Sequence, residues 1–254
     1  MEQFRHNKSL GQNFLTDKNL LSAIVADAGI TQSDTVIEVG AGAGALTLPL
    51  ARTGAKVISY EIDDRLIPHL EELAAGYPNL RIVNADIMKV NDREVSPDLP
   101  FKVVANLPYY ITTPILFKFI GCEASSITVM VQKEVAERIV ASPGGKDYGV
   151  LSVTAQLSGK PRITRTVGRN MFTPPPNVDS AVVRIDIDGK ADEKVKAVVR
   201  AAFSMRRKTL VNCLCGNGYN KEKVLAALTA LGFSSDIRGE RLSPPNFVKL
   251  SSLI

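Results

Sequence analysis

The 254-residue chain has no tryptophan, two histidines (His6 and His69) and three cysteines (Cys122, Cys213 and Cys215). Histidine this scarce gives little support to imidazole acid–base catalysis or to a histidine-ligated metal, and no metal site is expected. An odd cysteine count without paired spacing near a histidine predicts reduced thiols rather than a disulfide framework or a zinc site. No uncharged apolar run approaches the roughly 18 residues that a membrane helix needs, and residues 1–18 are too polar for the core of a secretion signal. The expectation is a soluble, cytoplasmic protein. Its 45% hydrophobic and 22% charged residues form an ordinary globular balance, sufficient for one large domain and one small.

Acidic residues are also unevenly scarce. The net charge is +5, but residues 190–254 carry 12 Lys/Arg against 5 Asp/Glu, so the preceding 189 residues are slightly negative. A basic segment of a folded chain is the footprint expected of a nucleic-acid partner, because each neutralised phosphate releases counterions. Charge alone fits a solvated basic face equally well.

Apolar, β-branched runs at 35–40, 56–61, 80–86, 101–107 and 126–132 read as buried strands. They alternate with segments of helical spacing such as 64–75 and 114–120. This order predicts an α/β fold, a Rossmann-like, mostly parallel sheet with helices on both faces. Two further strands, 162–167 and 180–187, flank a proline-rich turn and are expected as an antiparallel edge hairpin. After Gly189 the strand signal stops; 192–205, 221–232 and 243–254 look helical or irregular. The expected organisation is a catalytic domain over 1–189 and a small helical domain over 190–254.

The first strand ends in Glu38-Val39-Gly40-Ala41-Gly42-Ala43-Gly44-Ala45 and leads into a helix. Such a loop lets backbone turn sharply and approach a ligand, with Gly40 and Gly42 at the closest points. Glu61, ending the second strand, is placed to accept hydrogen bonds from a ribose diol, with Ile62 beside it. These features support an adenosine-containing cofactor and fit NAD and S-adenosylmethionine alike. Asp86, followed by Ile87, ends the third strand; it suits an adenine amino group and a helix cap equally. The fourth strand's end, Asn106-Leu107-Pro108-Tyr109, separates the two cofactors. At the carboxyl edge of such a sheet, Asn106 and the Leu107 carbonyl can accept both hydrogens of an exocyclic amine, Pro108 fixes the turn and Tyr109 stacks the base. That is amine methylation chemistry rather than hydride transfer. A dehydrogenase would also leave these residues and the basic tail without a purpose.

Together these segments resemble the bacterial small-subunit rRNA adenine-N6 dimethyltransferase family over nearly the whole chain. The resemblance begins at Lys8-Ser9-Leu10-Gly11-Gln12-Asn13-Phe14-Leu15 and includes Glu61-Ile62-Asp63-Asp64-Arg65-Leu66. It continues through Phe172-Thr173-Pro174-Pro175-Pro176-Asn177-Val178-Asp179-Ser180 and ends with 203–212 and 238–243. It implies S-adenosylmethionine as cofactor, touched by Asn13, Leu15 and the residues named above. It implies as substrate two adjacent adenosines near the 3′ end of 16S rRNA in the 30S subunit or its precursor, with a role in late subunit assembly and a monomeric enzyme. Phe172 would line the target-base pocket opposite Tyr109, although a staple for the proline loop fits its sequence equally. Arg206, Arg207 and Lys208 would contact phosphate; their alternative is a basic helix turn packed on acidic neighbours. Met205 stands where the family more often has glutamine. The macrolide-resistance enzymes that methylate adenine in large-subunit rRNA share the strand-end motif and are the alternative within this class; the tail signatures disfavour them.

Overall fold

The computed structural model describes residues 14–15 and 17–254. The elements are β1 (Phe14–Leu15), α1 (Lys18–Ala28), β2 (Thr35–Val39), α2 (Thr47–Ala51), β3 (Lys56–Glu61), α3 (Ile67–Ala74), β4 (Leu80–Asn84), β5 (Phe101–Asn106), α4 (Thr112–Gly121) and β6 (Ala124–Gln132). Then come α5 (Lys133–Val140), α6 (Val150–Ser158), β7 (Gly159–Val167), β8 (Phe172–Thr173), β9 (Ser180–Ile187), α7 (Glu193–Ala202), α8 (Leu210–Gly216), α9 (Lys221–Ala230) and α10 (Pro244–Leu253).

Seven strands form one sheet in the order β4-β3-β2-β5-β6-β9-β7. The pairs from β4 through β6 are parallel, and β9 runs antiparallel to β6. The two late strands thus join the same sheet, with only β7 at the edge. Their connection is more than a turn, because β8 within it pairs with β1, Leu15 opposite Phe172. β2 is buried along its whole length, as expected for a central parallel strand covered on both faces. Leu21, Ile24 and Ala28 of α1 pack with Val36, Val104, Met130 and Val182 on one face. On the other, Phe119 of α4 meets Phe101 of β5 edge to face, with ring centroids 6.4 Å apart. The start of α1 is fixed by Asp17, which accepts a hydrogen bond from the Leu20 amide at 2.8 Å.

The chain packs as two units. The first reaches Ala136 and resumes over Arg162–Ile187; the second comprises Glu137–Pro161 and Asp188–Ile254. The helical unit therefore extends beyond the 190–254 expected from composition. The reason is shared burial: Tyr148 and Val153 lie in one apolar cluster with Val198, Leu214, Leu228, Phe247 and Leu250, and Tyr148 Oη donates to the Leu242 carbonyl at 2.9 Å. Charge and periodicity mark where the chain changes character, whereas packing decides which segments form a unit. No described helix is long and apolar enough to cross a membrane.

Candidate active site

The carboxyl ends of β2, β3 and β5 and the turn after β4 open onto one cavity, as expected for a doubly wound sheet. From the glycine side it is lined by Gly40 and Gly42, from the acidic side by Glu61, Ile62, Asp86 and Ile87. Asn106, Leu107, Pro108 and Tyr109 form a third wall, and Leu15 and Phe172 a fourth. Asn13 lies outside the described residues.

The glycine loop takes left-handed backbone at every second position, with φ of 76° at Gly40, 56° at Gly42 and 82° at Gly44. A side chain at Gly44 would also meet Leu73 Cδ1 at 2.6 Å, so Leu73 would have to move. The helix behind the loop is shorter than its sequence suggests. α2 has five residues and starts only at Thr47, so the amides facing the cavity come from the loop rather than from a long helix. One of them, Gly42 N, donates to Glu61 Oε2 at 2.8 Å, while Glu61 Oε1 accepts from Ile62 N and Asp63 N, each at 2.8 Å. Three amides thus fix this 5%-exposed carboxylate, leaving about one of its four acceptor positions open.

Asp86 combines a turn cap with a place at the cavity wall. Its Oδ1 caps the following turn by accepting from Met88 N at 3.0 Å, and the residue also lines the cavity. Phe172 is 3% exposed within the apolar core beside Leu15 and also contributes to the cavity wall. Ile62, nearly half exposed, is the open part of the acidic wall.

Asn106 ends β5 in register with Met130, and the next amide, Leu107 N, donates to Met130 O at 3.1 Å. The Pro108 carbonyl accepts from Ile111 N at 3.2 Å and from Thr112 Oγ1 at 3.0 Å, which locks the turn after the strand. In contrast, the Asn106 carboxamide makes no hydrogen bond with any described residue, so a rigid backbone presents an unused amide group. Tyr109 is half-buried, and burial pushes its phenol above the usual range against a lowering hydrogen bond to Ser180. Sequence reasoning missed Leu21 and Tyr110, which also line the cavity. Leu21 carries no local signal; Tyr110, an exposed aromatic beside the motif, does.

Among the described residues, the walls contain no lysine, arginine or histidine. The charged groups among these described residues are acidic, an environment suited to a ligand bearing a sulfonium and an ammonium and ill matched to the two negative charges of a dinucleotide pyrophosphate. The loop, the acceptors at Glu61 and Asp86 and the apolar patches at Leu15 and Ile87 fit S-adenosylmethionine.

Behind the loop, Glu38 is fully buried. Ser59 Oγ donates to its Oε2 at 2.5 Å, while Oε1 and the nearby Thr47 hydroxyl lack well-formed partners. Burial pushes the Glu38 pKa up to about 7; Ser59 and Thr47 oppose the rise and the Glu61 charge adds to it. A carboxyl raised from 4.5 keeps in the folded state a proton that the unfolded chain gives up. Its contribution to stability is complete below pH 4.5 and is lost as pH rises through about 7, a loss of about 3 kcal/mol by pH 8. Glu38→Gln is therefore expected to flatten the decline in urea midpoint between pH 5.5 and 8. Parallel declines in variant and wild type would show that Glu38 is not the titrating group.

The tail cations differ from expectation in setting. Arg206, Arg207 and Lys208 occupy the turn between α7 and α8 rather than a helix, all three exposed, and none forms an ion pair with a described residue. Arg207 has φ 65°, a left-handed conformation that ends any helical continuation. Met205, the departure from the family pattern, places its methyl group against Gly216, where an added Cβ would lie 2.9 Å from it.

Comparison with known proteins agrees with this geometry. The family described as ribosomal RNA adenine dimethylase matches residues 3–243. "Ribosomal RNA small subunit methyltransferase A" of Caldanaerobacter subterraneus is 45% identical over 97% of this chain and 96% of its own length. The protein of the same name from Listeria innocua is 43% identical over 99% and 91%. Among solved structures, a dimethyladenosine transferase from Plasmodium falciparum superposes with a TM-score of 0.80 at 29% identity, covering 93% of this chain and 95% of that one. The 23S rRNA methyltransferase ErmE gives 0.72 at 29% identity, covering 94% and 98%. With a match that spans most of its length and a cavity shaped for S-adenosylmethionine, this chain belongs to the ribosomal RNA adenine dimethylase family.

Proposed function

We propose that this enzyme dimethylates N6 of two adjacent adenosines near the 3′ end of 16S rRNA, acting as a cytoplasmic monomer on the small ribosomal subunit or its precursor late in assembly. The observation that carries the reading is the Asn106 carboxamide, hydrogen-bonded to no described residue, in one cavity with Tyr109, Glu61 and Asp86. The relatives named for the small subunit support the choice of rRNA.

S-adenosylmethionine supplies a methyl group already activated on a positively charged sulfur. The chain's own task is alignment and polarisation. In this reading Glu61 would accept from a ribose hydroxyl at its remaining open position and Asp86 from the adenine amino group of the cofactor, while Gly40 and Gly42 allow close backbone approach. Leu15, Ile62 and Ile87 supply apolar contact. Asn106 Oδ1 and the Leu107 carbonyl accept the two hydrogens of the target amine, which aims the nitrogen lone pair at the methyl carbon. Tyr109 and Phe172 hold an adenine drawn out of its stack, offsetting an unstacking cost of a few kcal/mol. The amine proton leaves to solvent, so no imidazole is needed. The basic helical unit, through Arg206, Arg207 and Lys208, binds rRNA phosphates.

The test is methyl transfer from labelled S-adenosylmethionine to undermethylated 30S and 50S subunits offered separately, followed by nuclease digestion and chromatography of the nucleosides. N6,N6-dimethyladenosine in small-subunit RNA alone is the expected product. Label confined to the large subunit would overturn the reading in favour of the macrolide-resistance chemistry that the likeness to ErmE also accommodates.

A further inference from the structure

Tyr109 and Ser180 are 71 residues apart in the chain, yet Tyr109 Oη and Ser180 Oγ lie 2.6 Å apart. The two residues are held very differently. Ser180 has no exposed surface and opens β9 in register with Gln132 of β6, so the sheet fixes its hydroxyl in space. Tyr109 begins a three-residue 3-10 turn at the cavity wall. Two torsions separate its Cα from its phenolic end, and without an anchor the ring can swing about both. A hydrogen bond at Oη, the atom farthest from Cα, restrains χ1 and with it the direction of the ring's long axis, so the ring stays at one place on the cavity wall. Ser180 Oγ makes no other hydrogen bond with a described residue.

The geometry points to Ser180 as a positioning residue for the target base: its hydroxyl holds in place the Tyr109 ring on which the adenine stacks. The inference rests on the reading of Tyr109 as the base-stacking residue. A stacking surface is useful for transfer only when its orientation is fixed before the base arrives, because small misalignments of the reacting nitrogen are costly. With its hydroxyl engaged by Ser180 and its phenol held protonated by burial, Tyr109 offers its face to the base rather than a proton.

The experiment compares wild type, Ser180→Ala, Tyr109→Phe and the double variant, each as the full chain, in transfer to undermethylated 30S subunits. Cofactor binding is measured separately by calorimetry. Each single variant is expected to lose about tenfold in kcat/KM for the subunit, the scale of one buried hydrogen bond. The double variant should lose no more than the worse single one, and cofactor Kd should stay within about twofold of wild type. A merely structural serine would not give a loss shared with Tyr109→Phe. Wild-type kcat/KM in Ser180→Ala, or losses that multiply in the double variant, would overturn the inference. Should Ser180→Ala fail to fold, Tyr109→Phe decides: wild-type kcat/KM overturns the inference, and a tenfold loss at unchanged cofactor Kd supports it. No transfer by the wild-type chain to either subunit would overturn the methyl-transfer reading and the inference with it, an outcome distinct from a difference among variants.

Discussion

Asn106→Ala is expected to lower kcat by about 10² to 10³-fold while leaving cofactor affinity within about threefold of wild type. Removing the side chain deletes an acceptor for the target amine. It leaves in place the β5–β6 pairing at Asn106 and Met130, the Leu107 amide bond to Met130 and the Pro108 turn. Because the carboxamide is bonded to no described residue, its removal breaks no hydrogen bond among them and should hardly change the melting temperature. The cofactor meanwhile keeps its acidic acceptors at Glu61 and Asp86 and its backbone approach at the glycine loop. Asn106 also faces the cofactor in the proposed reading, so a modest rise in Kd is compatible with its role. A large rise in Kd with normal turnover at saturation would move Asn106 from amine polarisation to cofactor binding. Single-turnover transfer to 30S subunits at saturating cofactor, with calorimetric Kd measured beside it, separates these results.

Strands that are mostly buried were the most legible part of the fold. The segments at 56–61 and 180–187 coincide with β3 and β9, and the fully buried β2 stops within a residue of its expected end, because continuous β-branched burial is itself the sequence signal. The catalytic cavity was legible for a related reason: at the carboxyl edge of a parallel sheet, residues ending successive strands must converge. What escaped had no local period. Two-residue strands such as β1 and β8 carry none. α8 is built from Leu, Val, Asn and Cys, of which several are poor helix formers; it is held by the Thr209 cap and by burial of Leu210, Cys213 and Leu214. The placing of 137–161 with the tail follows from Tyr148 and Val153 reaching an apolar cluster that charge counting cannot see. The Tyr109–Ser180 hydrogen bond depends on sheet order, which places β9 beside β6, and no spacing rule reaches across 71 residues.

Replacing Arg206 and Lys208 by Gln and Arg207 by Asn is expected to weaken rRNA binding by about 10²-fold near 0.1 M salt. It should also flatten the dependence of log K on log salt by about 0.7 to 0.9 for each phosphate that is no longer neutralised. Asn is chosen at 207 because φ 65° is a conformation it tolerates better than most residues, so backbone strain does not enter the comparison. All three side chains are exposed and form no ion pair with a described residue, and their removal therefore leaves no buried acid unpaired and should hardly change thermal stability. That separates the prediction from the packed alternative: cations held by acidic neighbours would cost stability on removal and carry little salt dependence. The slope is more informative than the affinity, since it counts phosphates independently of how tightly bases are held. A fall of about two to three in the slope would assign all three cations to phosphate. A fall of about one would leave a single phosphate, for which Arg206, Arg207 and Lys208 would then compete in single variants. An unchanged slope would place the electrostatic footprint on other residues of the basic segment, where Lys221, Lys223 and Lys249 are among the exposed cations.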